Sequence, residues 1–270
     1  MAEDAVYYED IGTGEPVMLL HAAVADSRQW DAQVPAFAGR YRVIRYDMQG
    51  FGQTPAASSP LTRADELLAL MDQLSIPKAH LVGVSNGGSA ALDFAVENPD
   101  RVGALVLAAP GISGLELADI GGDEAIFEFD AAQEKREEAA VAAGDFAAAT
   151  DVSLQTWLAG YGRRLEDLSP TLVAAVRPIA EHALRRGVGR APAPNITPGA
   201  ARRLESVRAP TLFIIGEYDL PNVRAMTNFA ARAIAGAQVV EFANAAHWLN
   251  AEYPDRFDDV VLDFLVAHAV

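Results

Sequence analysis

A mostly parallel β-sheet flanked by helices, an α/β architecture, is what this 270-residue sequence predicts. Three observations predict it. Short apolar runs rich in Val, Ile and Leu recur without polar alternation, as strands buried on both faces require. Stretches with apolar residues at helical spacing lie between those runs. One long segment, from about Gly114 to Arg203, breaks the alternation with alanine-rich helical sequence and no convincing strand.

In chain order, "YYEDIGTGEP" reads as an antiparallel hairpin turning around Thr13–Gly14. "VMLL" (Val17–Leu20) and "YRVIRY" (Tyr41–Tyr46) follow as strands. "TRADELLALMDQL" opens with Thr62 and Asp65 at capping-box spacing, and Leu67, Leu70, Met71 and Leu74 share one face, so it reads as a helix. "AHLVGV" (Ala79–Val84) is a strand, "GGSAALDFAVENP" a helix stopped by Pro99, and "GALVLAA" (Gly103–Ala109) another strand. After the helical segment, "GVGRAPAPNITPGA" reads as a loop returning to the sheet. The strand "TLFIIG" (Thr211–Gly216), the helix "NVRAMTNFAARAIAG" ending at a C-capping Gly236, and the strand "AQVVEF" (Ala237–Phe242) come next. The last element is the helix "YPDRFDDVVLDFLVAH", with Pro254 near its first turn. The division expected is a core of residues 1–113 and 204–270 with a helical insertion, 114–203, lying over the sheet.

Composition narrows the function classes. The chain is 51% apolar, yet no 18-residue apolar run occurs, which argues against a membrane span. The acidic start lacks a basic segment followed by an apolar one, so no secretory signal is read and a cytoplasmic location is expected. The absence of cysteine excludes disulfides, thiolate zinc sites and a cysteine nucleophile. Net charge is −16, and residues 1–160 carry 9 Lys+Arg against 25 Asp+Glu. Such a surface repels phosphate backbones, so no nucleic-acid partner is expected.

The chemistry-bearing motif is "GVSNGG", Gly83–Gly88, at a strand-to-helix junction. A serine lifted on so tight a turn crowds its neighbours at −2 and +2, and Gly83 and Gly87 stand there, giving G-x-S-x-G. The following helix aims free N–H groups and its positive end toward Ser85. A serine hydroxyl needs a base, and the base an orienting group. Of the five histidines, His247, in "FANAAHWLNAEYP" between the last strand and the last helix, opens on the edge where ligands bind parallel sheets. His21 ends a strand on that edge but is read as shaping the loop that follows. His80 precedes its strand, His182 lies in the insertion, and His268 lies in the last helix. For the acid, Asp219 in "FIIGEYD" lies just past a strand's carboxyl end, whereas Asp47 in "YDMQGFG" reads as a turn-stabilising carboxylate. Two amides must hold the oxyanion: Asn86, following the serine, and Ala23 in "LLHAAVADSRQW".

With Ser85, Asp219 and His247 in that order, the sequence resembles the α/β-hydrolase fold superfamily. "LLHAAVADSRQW" is similar to its His-Gly oxyanion segment, "YDMQGFGQT" to its D-x-R-G-x-G-x-S turn, and "GEYD" and "NAAHW" to its acid and histidine loops. Ala22 stands where glycine is usual and Gln49 where arginine is usual; neither change removes a catalytic group. The resemblance covers nearly the whole chain outside the insertion, which matches the family's cap. It implies an acyl-enzyme mechanism on the Ser85–His247–Asp219 triad, a small-molecule acyl substrate, and no metal or organic cofactor. Serine in place of aspartate argues against haloalkane dehalogenase or epoxide hydrolase chemistry. No membrane partner is expected, and a homo-oligomer stays open.

Carboxylic ester or lactone hydrolysis is the first functional expectation. Hydrolysis of a carbon–carbon bond in vinylogous diketones, cofactor-free haloperoxidase or perhydrolase chemistry, and a non-catalytic binding module are the alternatives. Trp157, Tyr161 and Trp248 are candidate substrate-binding residues, with core packing as the competing reading. The arginine-rich stretch Arg163–Arg203 balances the acidic core or offers an anchor for a substrate carboxylate.

Overall fold

The computed structural model describes residues 6–56, 61–187 and 193–269. Its seven strands form one sheet: β1 (Tyr8–Gly12), β2 (Pro16–Leu20), β3 (Arg42–Tyr46), β4 (Ala79–Val84), β5 (Val102–Ala108), β6 (Thr211–Gly216) and β7 (Gln238–Phe242), in the order β1-β3-β2-β4-β5-β6-β7. Every pairing is parallel except β1 with β3. The apolar runs of β4 and β6 are buried throughout, because helices cover both faces. Alternate residues of β2 feed opposite layers: Val17 and Leu19 pack into one core, Met18 and Leu20 into the other. β7 is the exception among the strands read as buried. It is an edge strand, and Val239 is 47% exposed.

The expected N-terminal hairpin does not form. β1 and β2 lie on opposite sides of β3, with Tyr8 opposite Tyr46 and Pro16 opposite Arg42. The reason is burial. Val17–Leu20 are fully buried and need a neighbour on each side, whereas β1 is half polar and suits an edge. Cross-strand ion pairs hold β1 there, Arg42–Asp10 at 2.7 Å and Arg45–Glu9 at 2.8 Å.

The helices are α1 (Val34–Ala38), α2 (Arg63–Gln73), α3 (Asn86–Glu97), α4 (Glu128–Ala142), α5 (Phe146–Leu154), α6 (Pro170–Gly187), α7 (Pro221–Ala233), α8 (Leu249–Glu252) and α9 (Pro254–Val266). Thr62 caps α2 by accepting from the Asp65 amide at 3.0 Å, as its spacing predicts. Among the described residues no helix is long and apolar enough to cross a membrane.

Between β5 and β6 the described residues form helices and turns only: α4, α5, a single π turn at Gln155–Ala159, α6 and short 3₁₀ turns. Residues 188–192 of the expected return loop lie outside the described residues. The two passages of the chain into and out of this segment touch. Ser113 Oγ donates to Asp93 Oδ1 (2.5 Å) and accepts from the Ala200 amide (2.8 Å). A Cβ on Gly199 would stand 2.6 Å from the Ser113 carbonyl, so only glycine permits this approach.

Candidate active site

Ser85 ends β4 with φ 55° and ψ −115°, outside the wells open to an L-residue. Such a conformation costs roughly 1–3 kcal/mol and persists only where its surroundings enforce it. Here they do. The Ser85 amide donates to Ala108 O at 2.9 Å, and the Ser85 carbonyl accepts from Ser89 at 2.9 Å and Gly111 at 3.2 Å. The flanking glycines are a packing requirement. A Cβ on Gly83 would lie 2.3 Å from Gly87 O, and one on Gly87 would lie 2.2 Å from Leu20 O. The crowding at −2 is therefore with the other glycine, while that at +2 is with the end of β2.

His247 and Asp219 leave the same edge of the sheet, after β7 and β6. His247 Nδ1 lies 3.1 and 3.0 Å from the two Asp219 carboxylate oxygens. Asp219 Oδ1 also accepts from the Leu220 amide at 2.8 Å, which fixes its plane. Both side chains are buried, and His247 Nε2 has no hydrogen-bond partner among the described residues. An Nδ1–H committed to a carboxylate leaves Nε2 with a free lone pair, the state a general base needs.

The loop after β2 is set by side chains from three directions. His21 Nε2 accepts from the Met48 amide (3.0 Å) and its Nδ1 donates to Ala22 O (2.7 Å), so both ring nitrogens are engaged and burial holds its pKa down. The Asp47 carboxylate accepts from the Ser27 amide at 2.7 Å and the Gln53 amide at 2.8 Å. These are structural duties, as expected for both residues. His80 is the second residue of β4, where the sequence places it before the strand, with Nε2 3.3 Å from Glu15 Oε2; His268 lies just past α9. Neither the Ala23 nor the Asn86 amide donates to a described acceptor.

Sequence reading missed the residues that hold this apparatus. Asn250 Nδ2 donates to Gln29 O (2.8 Å) and Gln33 Oε1 (3.0 Å), and Gln29 Oε1 accepts from the Ala22 amide (2.8 Å), linking the histidine loop to the oxyanion loop. Glu252 accepts from the Ala246 amide (2.6 Å) and from Arg163 Nη2 (2.9 Å), while Arg163 also donates to Leu158 O and Ala159 O at 2.9 and 2.8 Å. Their signal in the sequence was weak: polar residues spaced along a loop and helix whose buried side no periodicity reveals.

Trp157 sits in the π turn with its ring centroid 4.7 Å from that of His247, and its carbonyl accepts from the His247 amide at 3.2 Å. Trp157 and Ala23 line a cavity of about 580 Å³. Ala23 also lines a second cavity of about 300 Å³, together with Asn86, Ser89, Arg63 and Asp93. Tyr161 is 51% exposed, edge-on to Phe129, and Trp248 is buried in the core; neither lines these two cavities. The arginines of the arginine-rich stretch that lie among the described residues are engaged by protein groups, while Arg190 lies outside them. Arg163 pairs with Glu252, Arg164 with Asp167, Arg177 with Asp151 and Arg185 with Glu181, and Arg186 donates to Thr54 O. Among the described residues no group of three or more His, Asp or Glu is arranged to hold a metal ion.

Comparison with known proteins agrees with this fold. A family model described as the alpha/beta hydrolase fold matches residues 15–254. The chain is 31% identical to a 2-hydroxy-6-oxononadienedioate/2-hydroxy-6-oxononatrienedioate hydrolase of Burkholderia vietnamiensis, over 96% of this chain and 90% of the relative. It is 30% identical to a 2-hydroxy-6-oxo-6-phenylhexa-2,4-dienoate hydrolase of Burkholderia cepacia, over 96% of this chain and 91% of the relative. Among solved structures, a hydrolase from Pseudomonas aeruginosa PA01 superposes with a TM-score of 0.74 at 28% identity, covering 96% of this chain and 94% of that one.

Proposed function

This chain belongs to the alpha/beta hydrolase fold family, and from that premise we propose that it is a serine hydrolase whose reaction is cleavage of the carbon–carbon bond beside a ketone in a vinylogous diketone. Ser85 Oγ attacks the ketone carbon while His247 Nε2 takes its proton, and Asp219 stabilises the imidazolium so formed. The Ala23 and Asn86 amides hold the negative oxygen of the adduct. On collapse of the adduct the carbon–carbon bond breaks. Its electron pair leaves on a carbon conjugated to the distant carbonyl, and the proton on His247 neutralises it. Water deprotonated by His247 then releases the acid from Ser85 and restores the hydroxyl.

The observation that carries the catalytic part is the buried His247 Nε2, unpartnered, on a ring oriented by Asp219 at the sheet edge that holds the strained Ser85. The choice of bond is supported by the relatives, whose names specify hydrolysis of 2-hydroxy-6-oxo dienoates. A carboxylic ester or lactone is the second reading. The same groups suffice for it, and the larger cavity, lined by carboxylates with no cation among the described residues, is poorly suited to a second carboxylate on a substrate.

Both readings share one test. 2-Hydroxy-6-oxo-6-phenylhexa-2,4-dienoate and p-nitrophenyl esters are assayed with wild type and Ser85→Ala, alongside labelling by a fluorophosphonate. A fall in kcat/KM of at least about 10³-fold and loss of labelling are expected. Undiminished turnover by Ser85→Ala sinks the proposal, and the better of the two substrates decides the bond.

A further inference from the structure

The larger cavity has an unusual wall. Asp130, Glu134, Glu137 and Glu138, at i, i+4, i+7 and i+8 along α4, all line it, and among the described residues none that lines it is basic. None of the four forms an ion pair among the described residues. Asp130 Oδ2 has only the neutral Asn222 amide, at 3.1 Å. Burial, foremost, raises the pKa of Asp130 and of Glu137, and the neighbouring carboxylates push Glu137 further up. These carboxylates are thus grouped on one wall with neutral hydrogen-bond partners, Asn222 at Asp130 and Ser153 at Glu137, and no ion pair among the described residues.

The acidic wall belongs to a reaction cavity. Ala23 and Trp157 are also in the lining, and the Trp157 ring packs at a tilt against His247. His247, packed behind Trp157, is 2% exposed with Nε2 unpartnered, which puts the proposed reacting centre next to this cavity. Asp130 is close enough for a charge on His247 to act on it. An aromatic ring and carboxylates lining one cavity stabilise an ammonium, by cation–π attraction and by Coulomb attraction together.

Resting on the serine-hydrolase reading, and independent of which bond is cut, we propose that this cavity selects the charge of one arm of the substrate: a cationic, ammonium-bearing arm is accepted and a carboxylate-bearing arm is refused. The nonadienedioates in the names of relatives carry a carboxylate at each end, so the proposal separates this chain from them on that arm. On this proposal the other arm belongs in the smaller cavity, which shares Ala23 and holds Arg63, itself paired with Glu66 at 2.7 Å.

Three p-nitrophenyl esters of matched length, ending in trimethylammonium, methyl and carboxylate, test it in wild type and in Asp130→Asn/Glu137→Gln. The expected order of kcat/KM is ammonium over methyl over carboxylate, with at least about tenfold between the extremes, shrinking at least threefold in the double variant. Equal or better turnover of the carboxylate ester overturns the proposal, as does a preference the double variant leaves intact. Calorimetric titration with hexyltrimethylammonium and with hexanoate reads the same cavity without catalysis. Tighter ammonium binding, weakened in the double variant, upholds the proposal even if Ser85→Ala retains activity and the serine reading fails. Hexanoate binding as tightly as the ammonium overturns it whatever Ser85 does.

Discussion

Asp93 lies on α3 two turns beyond Ser85, buried, with the Ser113 hydroxyl at 2.5 Å and no ion-pair partner among the described residues. Burial pushes its pKa from 3.8 up to about 6. The folded protein therefore binds a proton more tightly than the unfolded chain, so this group's contribution is fully present below pH 4 and is lost as pH rises through about 6. Asp93→Asn is expected to be neutral near pH 4 and stabilising by up to ~3 kcal/mol at pH 8, read by urea unfolding at both values. A gain that does not change with pH refutes this. Gly83→Ala and Gly87→Ala are expected to cost about 3 kcal/mol or more, because backbone atoms cannot retreat from the new Cβ; unfolding midpoints within error of wild type contradict the crowding. The glycines, like His21 and Asp47, were legible because their constraint is local. A serine between glycines at a strand end, or a carboxylate before a Gly-rich turn, carries its geometry within a few residues.

At the scale of elements, legibility depended on whether an element's partner was its sequence neighbour. α2, with Thr62 as its cap, was readable to within a residue or two, since capping and periodicity are internal to the helix. The first strand was misread because its pairing is decided by β2, which must be enclosed, and no property of "YYEDIGTGEP" states that. The clasp between loops was invisible for the same reason: Asn250 and Gln29 lie 221 residues apart. That clasp positions the Ala22–Ala23 segment, so Asn250→Ala is expected to lower kcat by roughly 10–100-fold with KM changed little, because oxyanion stabilisation acts in the transition state. A rise in KM alone, with kcat intact, points instead to a binding role. Arg163→Ala breaks an ion pair in which Glu252 is 4% exposed and leaves that carboxylate uncompensated beside the histidine loop. A loss of about 3 kcal/mol and a lower kcat are expected, whereas Arg177→Ala, at a pair with Asp151 61% exposed, is expected to shift stability by less than about 0.5 kcal/mol. Similar thermal shifts for both variants remove the distinction.

Over the whole molecule, charge is where sequence and structure diverge most. Counted along the chain, nothing sets the acids of α4 apart, and the arginines of the insertion read either as balancing the acidic core or as anchors for a substrate carboxylate. Folded, the described arginines from Arg163 to Arg186 are held by protein partners, as the first of those readings has it, and four acids line the cavity beside Trp157. No one-dimensional count reports which face of a helix closes over a site. The same surplus of 16 negative charges sets the response to salt. At about 10 mM ionic strength the screening length is about 30 Å, so distant carboxylates repel across the molecule; at 150 mM it is about 8 Å, and long-range repulsion is screened while ion pairs in contact keep most of their attraction. Thermal stability is therefore expected to rise between 10 and 150 mM NaCl, by roughly 2–4 °C for each kcal/mol of repulsion relieved in a domain of this size. Over that range the preference of the acidic cavity for an ammonium-bearing arm is expected to weaken, since Glu134 and Glu138 at its rim are exposed. Melting temperature and charge preference must then move in opposite directions with salt. A parallel rise in both means that the cavity's selectivity does not come from these carboxylates.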